Sequence, residues 1–107
     1  MKVCVPSYGP TLDSRMQPIF GRCEYFILVD PENMACEVEP NPYASVSDEA
    51  GPESAKMVID KGAKIVMTTQ LGTKARQVLE ASGVAIMDIK GETVREAVEA
   101  FRMRHST

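Results

Sequence analysis

A chain of 107 residues, 44% apolar and 25% charged, is long enough for one hydrophobic core and short for two domains. Its formal net charge of −3 argues against a nucleic-acid or membrane-surface binder, whose footprint is basic, and no apolar run approaches the roughly 18 residues of a membrane span. Three widely spaced cysteines, Cys4, Cys23 and Cys36, include no C-x-x-C pair, which speaks against a zinc ribbon, a thioredoxin-type motif and an ordinary iron–sulfur ligand run.

Residues 2–6 are a short apolar run with β-branched side chains, predicted as a strand that buries Cys4 as a small core residue. One lysine before so short a run does not make a secretory leader, so a cytoplasmic protein with free thiols is expected. Residues 7–23 hold Gly9, Pro10, Pro18 and Gly21 and show no period. Connections of that length are uncommon in compact domains and often functional. Leu12, Met16, Ile19 and Phe20 can anchor this one on the core. Residues 25–30 are the most strand-like run, followed by a turn at Asp30-Pro31-Glu32-Asn33. A strand over 34–39 should pair back antiparallel as an edge, with Cys36 and Val38 on one side and Glu37 and Glu39 on a wet one.

A second loop covers 40–52. The first helix runs from Pro52 or Glu53 to Lys61, with Pro at its start, Gly62 past its end and Ala55, Val58 and Ile59 facing inward. A central strand over 64–68 meets a tight turn at Thr69-Gln70-Leu71-Gly72. The second helix covers 73–82, stops at Gly83, and points Ala75, Val78, Leu79 and Ser82 inward. A strand over 84–89 completes a βαβ unit, which makes the two strands parallel. The third helix begins near Thr93, where Thr93-Val94-Arg95-Glu96 fits a capping box, and buries Val94, Ala97, Val98 and Phe101. Arg102, Arg104 and His105 close the chain, and His105 is expected on the surface.

The expected fold is α/β: one domain over 1–107 with a five-stranded mixed sheet and helices on its faces. The first strand should neighbour the fourth, and the loops that leave their C-terminal ends would then meet in one crevice, where ligands of open α/β sheets bind. Two arginines, Arg15 and Arg22, the helix start after Thr69–Gly72 and the loop over 45–51 would converge there and favour an anion. The same loops can equally serve only to close the sheet. Cys23 beside Arg22 is either a thiol of depressed pKa able to ligate a soft metal, or a half-buried thiol at a strand start. Met16, Met57, Met67 and Met87 read as core filler. No phosphate-binding glycine motif is present, no histidine stands near a nucleophile, and a first strand of Val3-Cys4-Val5 lacks the carboxylates a nuclease needs for magnesium.

Phe20-Gly21-Arg22, followed by Cys23, Tyr25 and Phe26, resembles the F-G-R-x-x-x-F signature of the dinitrogenase iron–molybdenum cofactor biosynthesis family. Gly9, Ser14, the approach of Gly51 to the first helix and the Leu71-Gly72 turn fit as well. The resemblance implies a ribonuclease-H-like three-layer fold and a non-enzymatic carrier of an anionic metal–sulfur cluster, either iron–molybdenum–sulfur or, as in the similar small orange proteins, molybdenum–copper–sulfur. It implies Ser14, Arg15, Gly21, Arg22, Cys23, Gln70 and Gly72 as cofactor-binding residues, with Cys23 as the metal ligand. Cluster donor or acceptor proteins are the implied partners of a monomer or weak homodimer. Members commonly carry His where Ile19 stands, which removes imidazole ligation here. The alternative is an interaction or regulatory module of the same family without a cofactor.

Overall fold

A computed structural model describes residues 1–45, 50–88 and 91–104. Strand β1, Lys2–Ser7, alternates so that Val3 and Val5 face one side of the sheet and Cys4 the other. Strand β2, Tyr25–Val29, does the same with Ile27 and Val29 against Phe26 and Leu28. Strand β3 is Cys36–Pro40, β4 is Ala63–Met67 and β5 is Ala85–Met87. The sheet order is β3-β2-β1-β4-β5, with β1–β2 and β2–β3 antiparallel and β1–β4 and β4–β5 parallel. The first strand therefore lies beside the fourth, as expected.

Helix α3, Val94–Arg104, covers the face of Val3, Val5, Ile27 and Val29 with Val94, Ala97, Val98 and Phe101. Helices α1, Ala50–Asp60, and α2, Thr73–Ala81, cover the other face with Ala55, Val58, Ala75 and Leu79. Two apolar clusters thus sandwich the sheet in the ribonuclease-H-like three-layer arrangement. The expected capping box opens α3: Thr93 Oγ1 accepts from the Glu96 N–H at 3.2 Å, and Glu96 Oε1 accepts from the Thr93 N–H at 3.0 Å.

Several expected boundaries or faces differ. Strand β3 starts at Cys36 rather than Met34, because Met34 adopts a left-handed φ of 61° in the hairpin loop and cannot extend the ladder. It is an edge strand, yet Cys36 is exposed and no β3 residue joins either core cluster, so neither of its faces is fully dry. Ser82 faces solvent rather than the core. Helix α2 ends there in a Schellman motif, with the Gly83 N–H donating to Glu80 O at 3.0 Å and the Val84 N–H to Leu79 O at 3.0 Å. Gly83 supplies the left-handed φ of 77°, and Val84, buried beside Leu79, is spent on the cap rather than on β5. Helix α1 begins at Ala50, which places Pro52 in its first turn, where its missing N–H costs nothing. His105, Ile89 and residues 46–49 of the second loop lie outside the described residues.

Candidate ligand-binding site

Parallel pairing of β1 and β4 brings their C-terminal ends to one edge of the sheet, and the chain zips the two departing segments together there. Pro18 O accepts from the Gln70 N–H at 2.9 Å, from Thr68 Oγ1 at 3.3 Å and from Thr69 Oγ1 at 3.2 Å. The Phe20 N–H donates to Gln70 O at 3.1 Å, making a parallel bridge between Ile19 and Gln70. Earlier in the loop, Leu12 O and Ser14 O accept from the Arg95 and Val94 N–H groups, and Asp13 pairs with Arg95 at 2.9 Å. The long connection is therefore fastened at both ends, and its 3₁₀ turn Phe20–Arg22 sits on the rim.

Phe20 is the turn's anchor. It is 1% exposed and packs tilted on Phe26 with ring centroids 5.0 Å apart. Gly21 follows where there is no room for a side chain: a Cβ there would stand 2.9 Å from the Gly51 nitrogen and 3.0 Å from its Cα. The turn thus rests directly on the backbone at the start of α1.

Two crevices flank the Pro18–Gln70 bridge. The smaller, about 300 Å³, lies between the 3₁₀ turn and the starts of α1 and α2, and includes Arg22 and Lys74. The larger, about 600 Å³, includes Tyr8, Arg15, Met16 and Thr69, and Gln70 borders both. Helix α2 opens from Gly72 in extended conformation with no side-chain cap, so its first-turn N–H groups face the smaller crevice without a competing carboxylate or hydroxyl. The start of α3 differs, because its N–H groups are already taken by the 8–16 loop and by Glu96. No Asp or Glu lines either crevice among the described residues, although the chain holds 15 acidic side chains against 12 basic ones. Arg15 and Lys74 have no carboxylate partner among the described residues. Among the described residues, the rim is a cationic, donor-rich notch on an acidic molecule.

Cys23 is not on that surface. It is fully buried in the cluster under α1 and α2, its thiol donates to Phe20 O at 3.3 Å, and it lines neither crevice. The expectation of a depressed pKa is corrected: burial pushes the thiol up to about 12, outweighing hydrogen bonds from the Ser7 backbone and Asn41. Arg22 does not act on it, because its guanidinium reaches outward to Ala44 O at 3.4 Å. The folded value lies above the ordinary 9.0, so the group's contribution to stability is complete below pH 9 and is lost as pH rises toward 12. Between pH 7 and 10 the wild-type chain should lose on the order of 1 kcal/mol more than Cys23→Ala, both chains keeping the buried Cys4 thiol that burial also raises, as the difference in urea midpoints at the two pH values will read.

A model of the family described as dinitrogenase iron–molybdenum cofactor matches residues 1–104. The chain belongs to this family. Among solved structures, the apo form of the orange protein from Desulfovibrio gigas is 36% identical with a TM-score of 0.89, covering 96% of this chain and 88% of that one. A NifB-like protein from Thermotoga, of the DUF35 family, is 34% identical with a TM-score of 0.83, covering 95% and 87%. An uncharacterized protein of Methanocaldococcus jannaschii is 26% identical over 95 residues, 86% of this chain and 80% of its own length.

In this dinitrogenase cofactor family member, Arg15, Gly21, Arg22, Gln70 and Gly72 come together on the rim as expected. Ser14 and Cys23 do not line it. The Ser14 hydroxyl caps a local turn at the Thr11 N–H, 3.0 Å away, and packs over Gly9, where a Cβ would stand 2.5 Å from Ser14 Oγ. Ile19 is 40% exposed and lines the smaller crevice. Sequence reasoning missed Lys74, whose position one residue into a helix that opens from an uncapped glycine was the available clue. It also missed Asn41, which carried none, because its partners come from segments distant in the chain.

Proposed function

We propose that the chain binds an anionic metal–sulfur cluster non-covalently at this rim and passes it between donor and acceptor proteins, without catalysing a reaction of its own. The observation that carries the reading is the electrostatic one: cationic side chains and uncapped helix N–H groups converge where no described carboxylate stands. Arg15, Arg22, Lys74 and the first-turn N–H groups of α2 would hold the guest through charge-assisted hydrogen bonds. Among the described residues no group of three or more His, Cys, Asp or Glu is placed to hold a metal ion, which favours holding a preformed cluster over building one on protein ligands. Similarity to the orange protein, known there in an apo form, favours molybdenum–copper–sulfur over iron–molybdenum–sulfur, and the absence of histidine at Ile19 points the same way.

The reading is tested by anaerobic reconstitution with molybdate, sulfide and copper(I), and in parallel with an iron–sulfur source and molybdate. A coloured species with stoichiometric metal should survive gel filtration. Arg15→Ala, Arg22→Ala and Lys74→Ala should each cut retention by about tenfold at low salt, the worth of one charge-assisted contact, with the effect shrinking as salt rises. No retained metal, or retention indifferent to all three variants, contradicts the proposal.

A second reading, an interaction module without a cofactor, draws on the exposure of Tyr8 and Ile19, 48% and 40%, beside the same crevices. It predicts capture of a partner that Ile19→Asp abolishes while metal uptake is absent in every condition.

A further inference from the structure

We propose that Asn41 is a positioning residue of the rim: one buried carboxamide fixes the Phe20–Arg22 turn as the wall of the smaller crevice and keeps the Cys23 thiol covered. Its consequence for ligand retention rests on the function proposed above, while its mechanism rests on geometry alone.

Asn41 follows β3 and is 7% exposed. Its backbone N–H donates to Glu24 O at 2.9 Å, which ties it beside the start of β2. Its Nδ2 donates to Cys23 O at 3.0 Å and to Gly21 O at 3.3 Å, and lies 3.9 Å from Cys23 Sγ. Its Oδ1 accepts from the Tyr43 N–H at 3.1 Å and from Ser54 Oγ at 3.2 Å. Both amide hydrogens and both lone pairs are therefore in use. Ser54, fully buried on α1, carries the hold to the helix whose first residues line the same crevice.

The residue type matters. Two of the bonds go to carbonyl oxygens of the Phe-Gly-Arg-Cys segment, and an oxygen drawn inward onto an amide is not turned toward an anionic guest. Aspartate has the same shape but no N–H₂, and would set a negative oxygen against both carbonyls. Alanine would leave the buried Cys23 carbonyl, the part-buried Gly21 carbonyl, the Tyr43 N–H and the Ser54 hydroxyl without this partner. Phe20 anchors only the first residue of the turn, and Gly21, whose backbone abuts Gly51, has no side chain to hold the rest once Asn41 lets go. With the turn released, Phe20 O no longer holds the Cys23 thiol, and the sulfur becomes reachable from the crevice.

The test uses the whole chain in a Cys36→Ser background, which removes the exposed thiol and leaves the two buried ones. Asn41→Ala and Asn41→Asp are compared with the parent for thermal melting and for the rate at which a small aromatic disulfide reagent labels each thiol, resolved by peptide mass. Both variants should melt cooperatively, and Cys23 should react about tenfold faster or more while Cys4 keeps its parent rate, the mark of a local opening. On anaerobic loading with molybdate, sulfide and copper(I), Asn41→Asp should retain less metal than Asn41→Ala, because it adds a negative charge behind the turn. Ser54→Ala, which removes only the outer partner, should give a smaller rise in the Cys23 rate and decides the question if the Asn41 variants do not fold. An unchanged Cys23 rate, or equal acceleration of Cys4 and Cys23, overturns the proposal. If the parent takes up no metal, the cluster reading fails while the thiol rates still decide the role of Asn41.

Discussion

Phe20→Ala is expected to lower the free energy of unfolding by about 3–5 kcal/mol, a large share of the roughly 5–15 kcal/mol available to a domain of this size. The ring is buried in the cluster that joins the sheet to α1 and α2, and it stacks on Phe26. Its removal leaves a cavity that the rigid β1–β2 pair cannot collapse to fill. The same ring holds the signature turn down, so the loss reaches the crevice as well as the core. Urea denaturation followed by circular dichroism reads the effect. A loss below about 1 kcal/mol would mean that the turn is held chiefly by its hydrogen bonds to Gln70 and Asn41.

Gly21→Ala has a different cause and a comparable reach. The new Cβ would meet the nitrogen and Cα of Gly51 and the carbonyl carbon of Ala50, all of them backbone atoms, at 2.9 to 3.2 Å. No flexible side chain can give way, so either the start of α1 shifts or the 3₁₀ turn unwinds. An overpacking cost of about 1–3 kcal/mol is expected, together with loss of the smaller crevice and of metal retention. Gly72→Ala is the internal control: nothing lies within 4 Å of its Cβ position and its φ of −68° suits any residue, so its stability should change by no more than about 0.5 kcal/mol. Equal stability of the two variants would show that the Gly21–Gly51 contact is dispensable.

Most of the fold was legible because hydrophobic runs and turn residues report local preferences. Ile65-Val66-Met67 read as a buried central strand, the βαβ spacing set β4 beside β5, and Thr93 with Glu96 marked a helix start. The errors fall where a tertiary or capping demand outweighs periodicity. Ser82 lies at a position that would face inward if α2 continued, but the Schellman motif ends the helix at that residue. Met34 sits in a strand-like run, yet the Asp30–Ala35 hairpin requires a left-handed residue there. At the site, the meeting of residues 15–22 with 69–74 followed from topology alone. The orientation of Cys23 did not: adjacency to Arg22 in sequence says nothing about which residue at the end of the 3₁₀ turn points into the core. Asn41 was invisible for the same reason, since its four side-chain partners lie as far as 20 positions away.

The central claim, that an anionic metal–sulfur guest sits where the 15–22 segment meets the start of α2, is tested most directly by a backbone amide NMR map of the protein before and after anaerobic addition of molybdate, sulfide and copper(I). Perturbed amides should concentrate in residues 15–22 and 69–75, with those at the opposite end of the sheet, near Gly62 and Gly83, unmoved. Perturbation centred on that opposite end, or none at metal-to-protein ratios well above one, would contradict it.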